Sequence, residues 1–346
     1  MGLNKKVQDI DFSSMMNKKA LSLLSGGLDS VIAAKLILDQ GIEVVGLHFV
    51  SSFCDSKRKE RDNVVVRSAS ELGIRVLIRD KGPGYVQVLT KPKHGYGKNM
   101  NPCIDCRIYM LQEARRVMEA EGASFLVTGE VVGQRPMSQM RDTIRLIERE
   151  SGLTGLIVRP LSAKLLAPSE AESQGIVDRS QLLDIAGRSR KAQYELVERY
   201  GLKEFSKPAG GCLLTDPIYA RKLRELLRVE PEYTMTDIDL LKYGRHFRFC
   251  GVKLVVGRDK DENEALYKLW SPPYLFARSA DFKGPSAVLK GPVDDNTIAI
   301  AGNIISFFAK NEVFPFSLEC FDGRTTYRSI PRIPVDPDKF KVKGSL

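Results

Sequence analysis

Six consecutive residues, Ser25-Gly26-Gly27-Leu28-Asp29-Ser30, are of the types needed to hold an anion. An apolar run, Ala20 to Leu24, precedes them and a helical pattern, Val31 to Asp39, follows. A buried strand feeding a glycine-rich turn and then a helix aims backbone N–H groups and the positive end of a helix dipole at one point. Gly26 and Gly27 permit tight backbone angles and close approach of a phosphate. Ser25 and Ser30 add hydroxyl donors. Asp29 cannot bind phosphate by charge, so its role is Mg2+ or the loop itself. The spacing is not GxxxxGK[ST], and no Lys follows the glycines. The bland alternative is an N-capped helix after a strand; position, flanks and sequence together favour a phosphate loop.

A second set of reactive side chains is sulfur. Asn99-Met-Asn-Pro-Cys-Ile-Asp-Cys-Arg107 places Cys103 and Cys106 in a C-x2-C just before a long helical pattern. Two thiols at that spacing reach one metal or cluster. The other half of a zinc site is absent, because His48, His94 and His246 are the only histidines and none pairs locally. What remains is a distant cysteine, Cys212, in a Gly-Gly-Cys loop. Three thiolates on an iron–sulfur cluster would leave one iron open. Structural zinc and a small buried thiol pair are the alternatives. Cys54, Cys250 and Cys320 sit in apolar or strand-like runs and read as core, although Cys54 follows a strand end and could approach a nucleotide.

The surrounding pattern supplies elements to position these groups. Residues 42–50, 74–78, 125–128 and 156–159 read as strands. Residues 57–72, 103–121, 178–186 and 191–200 read as helices, and 81–102 as loop. Strands alternating with helices imply a parallel sheet with right-handed crossovers. Ligands of such sheets bind beyond the carboxyl ends of the strands, where the Ser25 loop, His48, the Thr128-Gly-Glu130 turn and Pro160 should converge. After about residue 205 the pattern changes. Residues 207–212 read as loop and 217–227 as helix; short β-rich runs follow at 253–256, 286–289, 297–300 and 314–318. The expected organisation is an arm over 1–18, an α/β domain over 19–210 and a smaller β-rich α+β domain over 211–346.

The 346 residues are 43% hydrophobic and 28% charged, as in ordinary soluble proteins. No apolar stretch approaches a membrane span, and residues 1–6 lack the apolar core of a secretory signal, so a cytoplasmic protein with reduced cysteines is expected. The net charge of +10 argues for a polyanionic partner. Residues 219–260 hold ten Lys or Arg against six Asp or Glu, with Tyr243, Phe247 and Phe249 interleaved. Arg221, Arg224 and Arg228 share one helical stretch with Lys222, and Lys91, Lys93, His94 and Lys98 form a basic loop around Tyr96. Each is a plausible RNA contact or a solvated face.

The 25–30 segment resembles the PP-loop of the ATP pyrophosphatase family, enzymes that cleave ATP between its α and β phosphates and adenylate a substrate oxygen. Asn101-Pro102-x-x-x-Cys106 and the later Gly-x-Cys loop resemble the bacterial tRNA 2-thiouridylases, whose two catalytic cysteines match Cys106 and Cys212. Thr128-Gly-Glu-Val-Val-Gly-Gln134 with Ser138-Gln139 is similar to a segment of the tRNA 4-thiouridine synthetases. Residues 20–215 thus resemble the sulfur-inserting branch of the PP-loop family, with its Rossmann-like, adenine nucleotide alpha-hydrolase-like fold. Cys103 stands where the bacterial 2-thiouridylase has Asp; C-x2-C with one distant cysteine is the pattern of PP-loop tRNA thiolases that use a [4Fe-4S] cluster. Gly257-Arg-Asp-Lys-Asp-Glu-Asn263 weakly resembles the core of the NFACT-R RNA-binding domain.

The resemblance implies ATP at Ser25, Gly26, Gly27, Asp29, Ser30, Thr128 and Gly129, with Mg2+; His48, at its strand end, is either a further nucleotide contact or a structural histidine. It implies catalysis by Asp29, Cys106 and Cys212, and a cluster, or zinc, on Cys103, Cys106 and Cys212. It implies substrate contacts at Gln134, Arg135, Ser138 and Gln139, and the basic loop and helix add Lys93, Arg221, Arg224 and Arg228 as tRNA contacts read from charge. Adenylation of a uridine carbonyl oxygen and attack by sulfur would give a thiouridine. The sulfur would come from sulfide, a carrier protein or a cysteine desulfurase, and the enzyme could form a homodimer. A PP-loop amidotransferase or ligase acting on a small molecule, and a non-catalytic RNA-binding protein, are the rival expectations. Which tRNA, nucleotide and uridine atom is modified is not written in the sequence.

Overall fold

The computed structural model describes residues 17–53, 58–206 and 212–342, with the backbone alone at 58–62. Most of the expected arm, Cys54 and most of the 207–212 loop lie outside them. Two compact units result: residues up to 97 and from 101 to 206 make one, and 98–100 with 212–342 make the other.

The first unit is the expected parallel α/β fold. Its strands are β1 (Lys19–Leu23), β2 (Glu43–Val50), β3 (Val76–Asp80), β4 (Phe125–Thr128) and β5 (Ile157–Val158). They lie in the order β3-β2-β1-β4-β5, and all pair in parallel. Alternation along β1 sends Ala20 to one face and Leu21 and Leu23 to the other. The first face is covered by helix Leu28–Leu38 through Ala33, Ala34 and Ile37. Helix Cys103–Ala120 covers the second through Ile108, Leu111, Ala114 and Met118, four positions at helical spacing. Burial on both faces explains why β1 and β4 are nearly uninterrupted apolar runs. Strand order reverses between β1 and β4, and at such a switch point the strand ends open a crevice.

Three expected elements differ. The 81–102 loop contains a helix, Gly84–Thr90, held down by buried Tyr85, Val86 and Leu89. The 178–186 helix is one short turn, Arg179–Gln181. Beyond it Leu183 and Ile185 donate their N–H groups to the Pro160 and Leu161 carbonyls, so the chain runs beside the segment that follows β5. The expected strand at 297–300 lies inside helix Asp295–Ala309, whose start carries an Asp294–Thr297 capping box.

That helix packs on the second unit's antiparallel sheet. The strands are β6 (Arg245–Phe249), β7 (Val252–Val256), β8 (Leu275–Ser279), β9 (Ala287–Lys290), β10 (Phe316–Phe321) and β11 (Thr325–Ile330), in the order β11-β10-β8-β9-β7-β6. Ile298, Ala301, Ile304 and Ile305 meet Leu254 and Leu318 on one face. Leu266, from helix Lys260–Leu269, meets Val255, Phe276 and Val288 on the other. Cys320 is buried as expected, but Cys250 is exposed. With Gly251 it forms the tight β6–β7 turn, both residues at positive φ, so its side chain leaves the core.

Candidate active site

The turn after β1 is built by its own hydroxyls. Ser30 Oγ donates to the Gly27 carbonyl at 2.8 Å and lies 3.2 Å from the Ser25 N–H, which donates to it. The Gly27 N–H donates to Ser25 Oγ at 3.3 Å. The Ser30 N–H donates to the Gly27 carbonyl at 3.0 Å, and no side chain caps the helix Leu28–Leu38, whose first two amides precede any intrahelical acceptor. Gly26 adopts φ +71°, and a Cβ there would meet Val65 at 2.8 Å. Gly129, just past β4, is tighter: its Cβ would fall 2.5 Å from the Asp29 carbonyl carbon and from the Ser30 nitrogen. The turns after β1 and β4 therefore touch backbone to backbone, which only glycine allows.

Asp29 is held by amides. Gln134 Nε2 donates to its Oδ2 at 2.7 Å and Gln193 Nε2 to its Oδ1 at 3.3 Å, while Gln193 also reaches Gln134 Oε1. Of the two roles open to Asp29, this grip favours fixing the loop. It also gives Gln134, expected at tRNA, another partner. Ser138 and Gln139 are buried in the wall of the cavity, and Arg135 is exposed at its edge. His48 is buried, with Nδ1 3.0 Å from the Leu24 carbonyl, and lines the same space. Thr128 is buried beneath it, with Oγ1 donating to Glu130.

The cavity measures about 410 Å³ and opens between the phosphate loop and the start of helix Cys103–Ala120. Cys103, Cys106 and Arg107 line it from that helix. Lys81 Nζ lies 3.3 Å from Cys106 Sγ, putting an ammonium against the sulfur. Sequence reasoning missed Lys81, and it missed the charge network beneath the thiols. Arg107 Nε donates to Glu130 Oε1 at 2.8 Å, and Arg159 Nε to Oε2 at 2.9 Å; Arg159 also pairs with Glu148. Burial would push the Glu130 carboxyl up, but the two guanidiniums outweigh it and hold the group down at about 2. Among the described residues no group of three His, Cys, Asp or Glu side chains could hold a metal ion. Two thiols on one wall nonetheless suit two positions of a metal or cluster donor set.

Cys212 belongs to the second unit and is exposed. Arg221, Arg224 and Arg228 are exposed along one side of helix Pro217–Val229, as an anion-binding face requires. Several other basic residues of that region are spent internally. Lys222 is buried, donating to the Leu241 and Gly244 carbonyls, and burial lowers its pKa to about 8. Arg248 pairs with Glu225 and Glu230, Arg258 with Glu262, and Lys253 is buried near Asp237. Lys93, expected at tRNA, pairs with Glu150 at 2.7 Å while remaining exposed.

A central β1 followed by a glycine-rich turn, with a cavity at the switch point, gives the first unit the PP-loop-like fold expected from the sequence. Residues 15–164 match the family model described as thiamine biosynthesis protein (ThiI), and residues 244–331 match that of the NFACT protein RNA binding domain. A probable tRNA sulfurtransferase of Thermococcus kodakarensis is 29% identical over 171 residues, 49% of this chain and 40% of that protein. Another, from Lysinibacillus sphaericus, is 28% identical over 195 residues, 53% of this chain and 47% of that protein. The chain thus spans less than half the length of these relatives. A solved 4-thiouridine synthetase–RNA complex with bound ATP matches with a TM-score of 0.35 and 24% identity, over 65% of this chain and 52% of that one. These matches bear out the resemblance of the first unit to the sulfur-inserting branch of the PP-loop family and that of residues 257–263 to the NFACT-R domain.

Proposed function

We propose that this protein is an ATP-dependent tRNA sulfurtransferase. The observation that carries this reading is that Cys103 and Cys106 line the same cavity as the Ser25–Ser30 phosphate loop. A nucleotide activator and a sulfur carrier sharing one cavity is what replacement of a carbonyl oxygen by sulfur requires.

ATP places its phosphates on the amides of the loop, with Gly129 allowing the β4 turn to close against it. The uridine carbonyl oxygen attacks the α-phosphorus, and pyrophosphate leaves. The oxygen, now part of an adenylate, is a good leaving group. Hydrosulfide held on the Cys106 side adds to the carbon, the C–O bond breaks, AMP departs, and loss of the S–H proton leaves the thiocarbonyl. Lys81 supplies positive charge beside Cys106. Glu130 fixes Arg107 in the wall between thiols and loop, so that a cation faces the negative charge that develops. The target base must leave its stack to reach this depth.

Cys103 and Cys106, with Cys212 assigned by the sequence resemblance, would hold a [4Fe-4S] cluster; such a group supplies an iron that binds sulfide. Zinc is the alternative occupant, and Mg2+ would accompany the ATP. The exposed Arg221, Arg224 and Arg228 would grip tRNA phosphates. The test is mass spectrometry of tRNA nucleosides from a strain lacking the gene. Loss of one thiouridine, restored by the wild-type gene and not by Cys106→Ala, is expected. An unchanged nucleoside profile overturns the reading.

A further inference from the structure

One cation in the cavity has no role in the reaction just described. Arg190 immediately precedes helix Lys191–Tyr200, makes no side-chain capping bond to it, and contributes to the cavity wall. Its Nε is closed to solvent and finds no hydrogen-bond partner among the described residues. Nor does its guanidinium pair with a carboxylate there, although Asp29 and Glu130 line the same cavity. A shielded, charged N–H donor left unpaired costs free energy, and the cost is recovered when an anion meets it.

The backbone tells which anion. Gln193 lies three residues on, hence on the same side of the helix, and touches Asp29 at the start of helix Leu28–Leu38. The two helices pack through Val31 and Val197. Arg190 is thereby placed beside the phosphate loop, on the side of Gly27 and Asp29. We propose that Arg190 is a clamp for the pyrophosphate portion of the nucleotide, its planar fork closing over the phosphates that the loop amides hold from the other side. This rests on the reading of the cavity as an ATP site. It gives the leaving group a cation of its own, while the thiol side stays open to base and sulfur.

Isothermal titration of the 346-residue chain with ATP, inorganic pyrophosphate and AMP tests the assignment. Arg190→Gln should weaken ATP and pyrophosphate about 10- to 100-fold, the usual worth of a charge-assisted contact, and leave AMP within about threefold. Arg190→Lys keeps the charge without the fork and should recover part of the loss. The melting temperature of the ligand-free Gln variant should equal or exceed the wild type, because an unpaired buried donor is gone. Wild-type pyrophosphate affinity in both variants, or equal losses for AMP and pyrophosphate, overturns the proposal. Should the Gln variant fail to fold, the Lys variant decides: unchanged pyrophosphate affinity in it refutes the fork. A wild-type chain that binds neither ATP nor pyrophosphate refutes the nucleotide reading itself, and Arg190 with it.

Discussion

Glu130→Gln removes one negative charge from a buried set that contains two guanidiniums. Glu130 is 5% exposed and Arg159 3%. The carboxylate accepts from Arg107 on one oxygen and Arg159 on the other, so an amide can serve one partner only and points its NH2 at the other. The gap between about 2 in the fold and the 4.5 of an unburied glutamate corresponds to about 3 kcal/mol. Breaking a buried ion pair from one side costs a similar ~3–5 kcal/mol. Glu148 still holds Arg159, so the lower figure applies. For a unit of this size about 3 kcal/mol lowers the melting temperature by roughly 6–12 °C.

Far-UV circular dichroism during urea unfolding should show an earlier transition in the variant. The single tryptophan, Trp270, belongs to the second unit, so its emission should report an unshifted transition and serves as an internal control. Since the folded carboxyl is held below its ordinary value, its contribution is complete above about pH 4.5 and disappears as pH falls toward 2. The gap between wild type and variant should narrow over that window. A variant within about 1 kcal/mol of wild type at pH 7, or a gap that widens in acid, refutes the network as a source of stability.

Gly129→Ala drives a methyl into the Asp29–Ser30 backbone; it should cost about 1–3 kcal/mol and at least tenfold in ATP affinity, and calorimetry showing native affinity would contradict the close approach. Anaerobic purification should give a brown protein with about four irons per chain, bleached by Ala at Cys103, Cys106 or Cys212; a colourless, zinc-bearing chain would instead select the zinc alternative. Charge reversal at Arg221, Arg224 and Arg228 should flatten the salt dependence of tRNA binding by roughly 0.7–0.9 log units for each phosphate no longer neutralised, with ATP affinity constant. An unchanged slope in filter binding would place the tRNA elsewhere.

What was legible in the sequence was what is local. The Ser25–Ser30 turn declares itself because strand, glycines and helix start lie within one short run, and the C-x2-C pair because four residues span it. The Glu130 network was illegible because Arg107 and Arg159 lie 23 and 29 residues away, on different elements, and meet only once β4 and β5 are paired. The Gln193–Asp29 bond spans 164 residues. The Gln134–Asp29 bond was illegible because motif position does not say which partner within the fold a side chain finds. Cys250 misled through its apolar neighbours, although the glycine after it signals a hairpin turn. The Thr297–Ile300 segment misled through β-branched residues, while the Asp294–Thr297 cap and apolar positions at 298, 301, 304 and 305 carry the helical period.

The latch on the phosphate loop arrives late in the chain. The Ser206 N–H donates to the Gly26 carbonyl at 2.7 Å, and its hydroxyl reaches the same oxygen at 3.1 Å. During synthesis β1 emerges early and gains β2 and β3 on one side, then β4 and β5 on the other. The loop at 25–30 must wait for Gln193 and Ser206 before its last bonds form. A nascent chain halted before residue 206 carries the glycines, the serines and the thiols of Cys103 and Cys106 without the fastening that sets the loop. The setting of this loop is therefore a property of the whole first unit and not of the turn alone.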